Sequence, residues 1–333
     1  MNRKGIMRVA ALAVILSLLL IGCGSDPEEM QVSRKDSTKI NIVATLFPQY
    51  DFARAIVGDK ADVVLLMPPG VEAHSFEPTP SDIISINNSD LFLYTGKYME
   101  VWSDRIIQGM DKSKSVVVDV SEGIDLVKTE DIEAEHEHEH EDLAENDEEE
   151  GEEHEHEHVY DPHIWTSPVI AKAMVNNILN AICRIDPDNA EYYSDNAEKY
   201  LGELDQLDKE FRDIVKQGKR NELIFGSRFA LYYFAHEYGL DYEAAFDSCS
   251  TETEPSAKTV AHLIEEIKEE KIPVIYYAEI AEPKVAKSIS EETGAEMLLF
   301  HSCHNVTREE MKQGATYLSL MRQNADNLRE GLK

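Results

Sequence analysis

The sequence predicts an α/β protein of two lobes, each a mainly parallel sheet flanked by helices. Runs of β-branched and apolar residues alternate with helical patterns in both halves of the 333-residue chain. Between the halves, residues 189–216 form one uninterrupted amphipathic pattern, which predicts a stiff helix of roughly 40 Å. Ligands of such sheets bind at the carboxyl ends of the strands, so we expect a site in the cleft between the lobes.

The first 25 residues are typical of an export signal. Arg3, Lys4 and Arg8 precede an apolar run that is too short and wrongly flanked for a stable transmembrane helix. The run ends in L-I-G-C at 20–23, which resembles a bacterial lipobox. That resemblance implies cleavage before Cys23 and a diacylglycerol on its sulfur. We therefore expect 1–22 to be a signal peptide and 23–38 to be a flexible tether, outside the cytoplasm.

The first lobe is predicted over 39–187. Strands are expected at 40–47, 61–67, 91–94 and 115–120, and helices at 49–57, 81–89, 99–109 and 167–183. Pro48, Gly58 and the Pro68-Pro69-Gly70 tripeptide mark breaks between elements. Ser167 and Pro168 are residue types that favour the start of a helix.

The linking helix is assigned to 188–218 and the second lobe to 219–333. In this lobe strands are expected at 222–226, 241–246, 273–278 and 296–301, and helices at 230–238, 257–270, 283–293 and 311–332.

An acidic, histidine-rich loop is predicted at 129–158, because a run this polar cannot offset the entropy of ordering it. It carries 17 acidic and no basic residues, about half of the formal charge of −33. The moderately acidic remainder argues against nucleic acid as a partner. Imidazoles and carboxylates are ligands that Zn²⁺ favours, and an acidic solvated linker is the alternative. Half of the twelve histidines lie in this loop: His136, His138, His140, His154, His156 and His158.

Two further histidines are candidate metal ligands on a rigid scaffold. His74 lies on a proline- and glycine-rich loop that follows a predicted strand, and His163 lies between Pro162 and Trp165. Either alone would be weak support, since a lone loop histidine is usually solvated. Two histidines that each lie on a short loop of the first lobe together indicate metal ligands held by a rigid scaffold.

Four motifs give a more specific resemblance. They are G-V-E-A-H-S-F-E-P-T-P at 70–80, D-P-H-I-W at 161–165, E-T-E-P-S-A-K-T-V at 252–260 and Y-L-S-L-M-R-Q-N at 317–324. In this order they resemble the metal-binding lipoproteins of bacterial ABC importers for zinc and manganese, the cluster A-I solute-binding family. The resemblance covers 39–332. Its histidine-rich insertion before His163 resembles the zinc-specific branch.

The resemblance implies a monomeric binding protein rather than an enzyme. Such a protein captures Zn²⁺ outside the cytoplasm and delivers it to an ABC permease, anchored to the membrane by the lipid on Cys23. It implies His74 and His163 as the first two ligands. Because ligand histidines must be neutral, we expect zinc affinity to fall below about pH 6.5, the ordinary pKa of histidine.

The sequence departs from the family pattern in the second lobe. Arg228 stands where the family has its third histidine, and a guanidinium is not a plausible zinc ligand. His301 falls at the family's aspartate position, and His304 falls where some zinc members have glutamate. Our preferred set is His74, His163 and His301, with His304 as the next candidate. Arg228 could instead hold Glu72 or Glu77, and His236 is assigned to a helix surface.

The remaining cysteines and acids have structural alternatives. Cys183 is predicted to be a core thiol. Outside the cytoplasm Cys249 and Cys303 are expected to form a disulfide, with Cys303 as a zinc ligand the alternative. Four acids could orient ligand imidazoles or lie on surface loops: Glu252, Glu254, Glu279 and Glu282.

Three other functions remain open at this point. A manganese or iron carrier of the same family is disfavoured by nitrogen-rich ligation. A zinc-dependent hydrolase would need a metal-bound water that faces a roomy substrate pocket, whereas a closed set of ligands would favour transport. A surface adhesin that retains zinc is the third alternative.

Overall fold

The computed structural model describes residues 39–132, 160–246, 255–280 and 282–333. The predicted signal peptide, tether and lipidation site at Cys23 lie outside these ranges. So do Cys249, Glu252, Glu254 and the six histidines of the acidic loop. Within the described ranges, no helix combines the length and the apolar character needed to cross a membrane.

The described residues form two four-stranded sheets, and every paired strand is parallel. The first sheet has the order β2-β1-β3-β4 and the second the order β6-β5-β7-β8, so both sheets repeat one strand order. The first contains β1 (Asn41–Ala44), β2 (Asp62–Leu65), β3 (Leu91–Tyr94) and β4 (Val116–Asp119). The second contains β5 (Glu222–Arg228), β6 (Asp241–Phe246), β7 (Val274–Tyr277) and β8 (Glu296–Leu299).

Helices flank both sheets. The first lobe has α1 (Phe47–Val57), α2 (Pro80–Asn87), α3 (Ser103–Gly109) and α4 (Pro168–Ile185). The linking helix α5 (Ala190–Gln217) has 28 residues. After it come α6 (Tyr232–Tyr238), α7 (Ala257–Glu269), α8 (Lys284–Thr293), α9 (Arg308–Gln313) and α10 (Tyr317–Gly331). The two-lobed α/β fold with one long helix between the lobes is confirmed.

Several predicted boundaries differ from the structure by a few residues, and two of the differences have a local reason. The strand predicted at 40–47 ends at Ala44, because Phe47 begins α1 and Pro48 lies in its first turn, where proline is tolerated. The helix predicted at 311–332 is two helices, since Gly314 adopts a left-handed conformation with φ of 76° and ends α9. Thr316 then caps the start of α10 by accepting a hydrogen bond from the Ser319 backbone N–H.

The long helix α5 ties the two lobes together. It packs against α1 and α4 of the first lobe and against α10, which also contacts β7 and β8. At the junction, the buried Asp51 carboxylate accepts hydrogen bonds from the Tyr200 hydroxyl at 3.1 Å and the Tyr317 backbone N–H at 2.9 Å. Burial raises the pKa of Asp51 to about 6. Residues Lys39–Lys333 accordingly group as one compact unit, and the limits of the individual lobes stay predictions.

Candidate metal centre

Three histidines bring their ring nitrogens together between the two sheets. One ligand atom each from His74, His163 and His304 lies within 4.8 Å of the others, and the described residues contain no other such group. The Nε2 atoms of His74 and His163 are 3.2 Å apart. Two ligands of a tetrahedral Zn²⁺, each bonded at about 2.0–2.1 Å, would lie roughly 3.3 Å apart. The spacing therefore fits two nitrogens on one zinc ion.

His74 and His304 follow strands, at the ends where open α/β sheets bind their ligands, whereas His163 precedes a helix. His74 is in the loop between β2 and α2, and His163 precedes a short 3₁₀ turn, Ile164–Thr166, at the start of α4. His304 follows β8. The first lobe thus supplies two of the rings and the second lobe supplies one, as expected for a site in the cleft.

His163 is held by Asp161. One oxygen of the Asp161 carboxylate accepts hydrogen bonds from His163 Nδ1 at 2.7 Å and from the His163 backbone N–H at 2.8 Å. Both side chains are buried. Because the proton is on Nδ1, the lone pair of Nε2 is available to a metal, and a carboxylate partner of this kind strengthens a histidine ligand. The Tyr233 hydroxyl donates to the Asp161 carbonyl at 2.7 Å and fixes this loop from the second lobe.

His304 is oriented by a relay of two residues. Ser302 Oγ lies 2.6 Å from His304 Nδ1 and 2.5 Å from Glu279 Oε1. A serine hydroxyl has one proton, which goes to the carboxylate, so Ser302 accepts the proton of His304 Nδ1. The buried Nε2 of His304 has no hydrogen-bond partner among the described residues. A buried imidazole nitrogen with a lone pair and no hydrogen-bond partner is suited to bind a metal ion. Glu279 thus acts on the orientation of His304 through Ser302, in line with one of the two roles predicted for it.

The electrostatic surroundings keep two of the rings neutral. His74 is the exposed member of the cluster, but the protein atoms around its ring exclude part of the water, and this desolvation together with the adjacent His163 lowers its pKa to about 4. Burial, reinforced by His163 and His74, holds the pKa of His304 well below its ordinary value. A neutral imidazole is the form that binds a metal, so these rings need no deprotonation at neutral pH.

His301 lies outside the cluster, which corrects our preferred ligand set. The side chain of Asn324 fixes its backbone: Oδ1 accepts from His301 N–H at 2.7 Å and Nδ2 donates to the His301 carbonyl at 2.8 Å. His301 Nδ1 accepts a hydrogen bond from the Cys303 backbone N–H at 2.9 Å, and Nε2 lies 3.6 Å from Glu310. His301 Nε2, like His304 Nε2, has no hydrogen-bond partner among the described residues, but the hydrogen bonds of His301 lie within the second lobe. His304, the next candidate, is the second-lobe histidine that lies in the cluster.

Cys249, the predicted disulfide partner of Cys303, lies outside the described residues, so that pairing stays a prediction. Among the described residues the Cys303 thiol has no disulfide partner; it is fully buried in the apolar core and lies 3.9 Å from the His301 carbonyl oxygen. Cys303 does not belong to the histidine cluster, which disfavours its alternative role as a ligand. Cys183 is a second free thiol, half-buried on α4.

A cavity of about 430 Å³ lies beside the cluster. His74 and His304 line it together with Arg228, Glu72, Glu279 and Glu282. Arg228 is at the end of β5 and is not one of the clustered ligands. Glu72 accepts a hydrogen bond from the Ser75 backbone N–H at 3.0 Å, which stabilises the loop of His74. His236 is exposed on α6, as predicted.

The chain is similar to known zinc-uptake proteins over most of its length. The model of a family described as ZnuA, zinc-uptake complex component A periplasmic, matches residues 42–331. The high-affinity zinc uptake system protein ZnuA of Bacillus subtilis (strain 168) is 40% identical over 315 residues, which are 95% of this chain and 94% of that protein. The zinc-binding lipoprotein AdcA of Streptococcus pneumoniae is 32% identical over 319 residues, and the chain spans only 60% of AdcA.

Two solved structures share the fold. The metal-dependent lipoprotein YcdH from Bacillus subtilis superposes with a TM-score of 0.72 at 37% identity, over 88% of this chain and 99% of that one. The Zn(II)-bound ZnuA-like domain of Streptococcus pneumoniae AdcA superposes with a TM-score of 0.71 at 30% identity, with the same coverage of both chains. Both similarities extend over most of the chain, well beyond either lobe alone.

Proposed function

The chain belongs to the family of zinc-uptake complex component A, and we propose that it holds Zn²⁺ with His74, His163 and His304. In this proposal the protein captures the ion outside the cytoplasm and delivers it to an ABC permease. The observation that carries the ligand assignment is the convergence of three ring nitrogens, two of them with the Nδ1 proton held by a buried partner.

The donor set favours zinc over manganese or iron. Three imidazole nitrogens suit a borderline ion that accepts four-coordinate geometry, whereas Mn²⁺ prefers carboxylate oxygens. The carboxylates of Asp161 and Glu279 are engaged with His163 and Ser302, so they orient ligands instead of binding the ion in this arrangement. Family membership favours transport over a hydrolase or an adhesin.

The finer points of localisation rest on the sequence. The L-I-G-C motif supports cleavage before Cys23, lipidation of its sulfur and attachment to the outer face of the membrane. A lipid chain with a tether of about 15 residues would leave the lobes free to reach the permease. We propose that the protein acts as a monomer.

Replacing His163 with Ala tests the site directly. Structural zinc sites contribute about 10–16 kcal/mol over four ligands, so loss of one ligand should cost roughly 3 kcal/mol, about 10²-fold in affinity. The measurement is zinc titration against a competing chelator. His236→Ala, an exposed histidine on α6, is the matched control and should bind as the unaltered protein does. Unchanged affinity of the His163 variant would show that the site lies elsewhere.

The acidic loop is proposed as an accessory that raises the local zinc concentration near His163. Deleting 130–158 removes six histidines. One tight site should remain, because none of the three clustered ligands lies in the deleted segment, while additional weak binding is lost. Equilibrium dialysis with zinc in excess counts both classes of site. Disappearance of the tight site would contradict this two-tier arrangement.

A further inference from the structure

The segment that carries His304 is fastened to the first lobe, although it follows β8 of the second. Trp165 Nε1 donates to the Ser302 carbonyl at 2.8 Å, and the Gly70 backbone N–H donates to the Val306 carbonyl at 2.8 Å. The Phe47 backbone N–H donates to the His304 carbonyl at 3.3 Å. The third ligand is therefore positioned by contacts that cross the cleft.

Asn305 adds two hydrogen bonds to the first lobe from a single side chain. Its Nδ2 donates to two carbonyls of the first lobe, that of Pro68 at 2.8 Å and that of Val71 at 2.9 Å. Its Oδ1 accepts from the Val306 backbone N–H at 2.9 Å. The side chain is fully buried, so water cannot replace these bonds without opening the cleft. One amide thus uses both its donor protons and its acceptor at the junction.

The turn that receives Asn305 is built by its sequence. Pro69 and Gly70 occupy the centre of residues 68–71, Gly70 adopts φ of 84°, and the Val71 N–H donates to the Pro68 carbonyl at 3.2 Å. Glycine tolerates this conformation and proline favours the position before it. The turn presents the carbonyls of Pro68 and Val71 together, and His74 follows three residues after Val71.

We propose that Asn305 is a positioning residue of the zinc site. It holds the segment of His304 against the turn that leads to His74, so that the two imidazoles keep the spacing that one Zn²⁺ requires. This inference rests on the proposed zinc function. His74 is the exposed member of the cluster, and its ring centroid lies 5.4 Å from that of His304. Without Asn305, the entropy cost of ordering the His74 loop and the His304 segment would be subtracted from the free energy of zinc binding.

Asn305→Ala should weaken zinc binding roughly tenfold, the lower end of the effect of removing groups that orient metal ligands. The control is Asn177→Ala, because Asn177 Nδ2 also donates to two backbone carbonyls, those of Val120 and Glu122, but within the first lobe. Both variants should unfold at a lower temperature. Only Asn305→Ala should lose zinc affinity. When Co²⁺ is bound in place of zinc, its d–d absorption reports the geometry of the ligands, and only Asn305→Ala should alter that spectrum. Equal zinc affinity of the two variants would overturn the inference.

A double-mutant cycle separates positioning from general weakening. If Asn305 acts through His304, Asn305→Ala should change zinc affinity by less than about twofold in a His304→Ala background. A full tenfold effect in that background would overturn the proposal. If the unaltered protein binds no zinc, the proposed function fails. If it binds zinc tightly and Asn305→Ala binds equally well, only the positioning role fails.

A measurement on the unaltered chain covers the case in which Asn305→Ala does not fold. Zinc that joins His74 to His304 should stabilise the bonds between them. Hydrogen exchange of the Gly70 and Val306 amides should then slow at least about fivefold on zinc binding. The exchange rates of the backbone amides around Asn177 in α4 should be unchanged. Unchanged exchange at Gly70 and Val306 would contradict the inference.

Discussion

Replacing His304 with Ala is expected to weaken zinc binding by roughly 10²-fold, whereas replacing His301 with Ala should leave affinity within about threefold. His304 contributes a buried Nε2 with no hydrogen-bond partner to the three-histidine cluster. His301 is also buried and its Nε2 likewise has no hydrogen-bond partner among the described residues, but the ring lies outside the cluster and contacts Cys303 and Glu310 within the second lobe. Zinc titration against a competing chelator measures both variants under the same conditions.

Thermal unfolding of the zinc-free variants provides the control for this comparison. His301→Ala removes a buried ring and its hydrogen bond from the Cys303 N–H, so it should lower the unfolding temperature. The larger loss of stability is thus expected in the variant with the smaller loss of zinc affinity. The reverse order of zinc affinities would restore His301 as the third ligand and reject His304.

Zinc affinity should decline with acid far less steeply than the sequence predicts. Three histidines of ordinary pKa, near 6.5, would each be about 90% protonated at pH 5.5, and affinity would fall roughly 10³-fold from its plateau. The pKa of His74 is lowered to about 4 and that of His304 lies well below the ordinary value. Protons compete with zinc only below the pKa of each ring. At pH 5.5 zinc therefore displaces at most about one proton, and the fall should not exceed roughly tenfold.

Calorimetric titration in buffers of different ionisation enthalpy counts these protons. We expect at most about one proton released for each zinc bound at pH 5.5. A value close to three would show that the rings titrate as ordinary histidines and that burial does not hold them neutral. The deletion of 130–158 is the useful background for this experiment, since the six loop histidines would otherwise release protons of their own.

Local patterns were sufficient for much of the fold. Alternating strand and helix signals predicted both parallel sheets, and one unbroken amphipathic stretch predicted α5. These signals depend on residue type and on spacing over a short stretch of the chain, so they can be recognised without knowing which distant residues are in contact. Errors arose where two signals competed, as at Pro48, which lies in the first turn of a helix, and at Gly314, which ends one.

The sequence by itself determined the ligand chemistry and two members of the candidate site. His74 and His163 lie in the first lobe on short loops within recognisable motifs, and the structure brings both into the cluster. The choice between His301 and His304 was different, because both follow the same strand and are only three residues apart. The spacing of residues in a non-repetitive segment does not fix the direction in which each side chain points.

Only the tertiary structure decided that choice. Asn324 of α10 holds His301 within the second lobe, while Asn305 fastens the next residues to the carbonyls of Pro68 and Val71. Asn305 is more than 200 positions from Pro68 and Val71 in the sequence, so no local pattern could reveal these hydrogen bonds. The residues that are present determined the kind of ion. The geometry of its site was determined by hydrogen bonds between segments that only folding brings together, some within one lobe and some across the cleft.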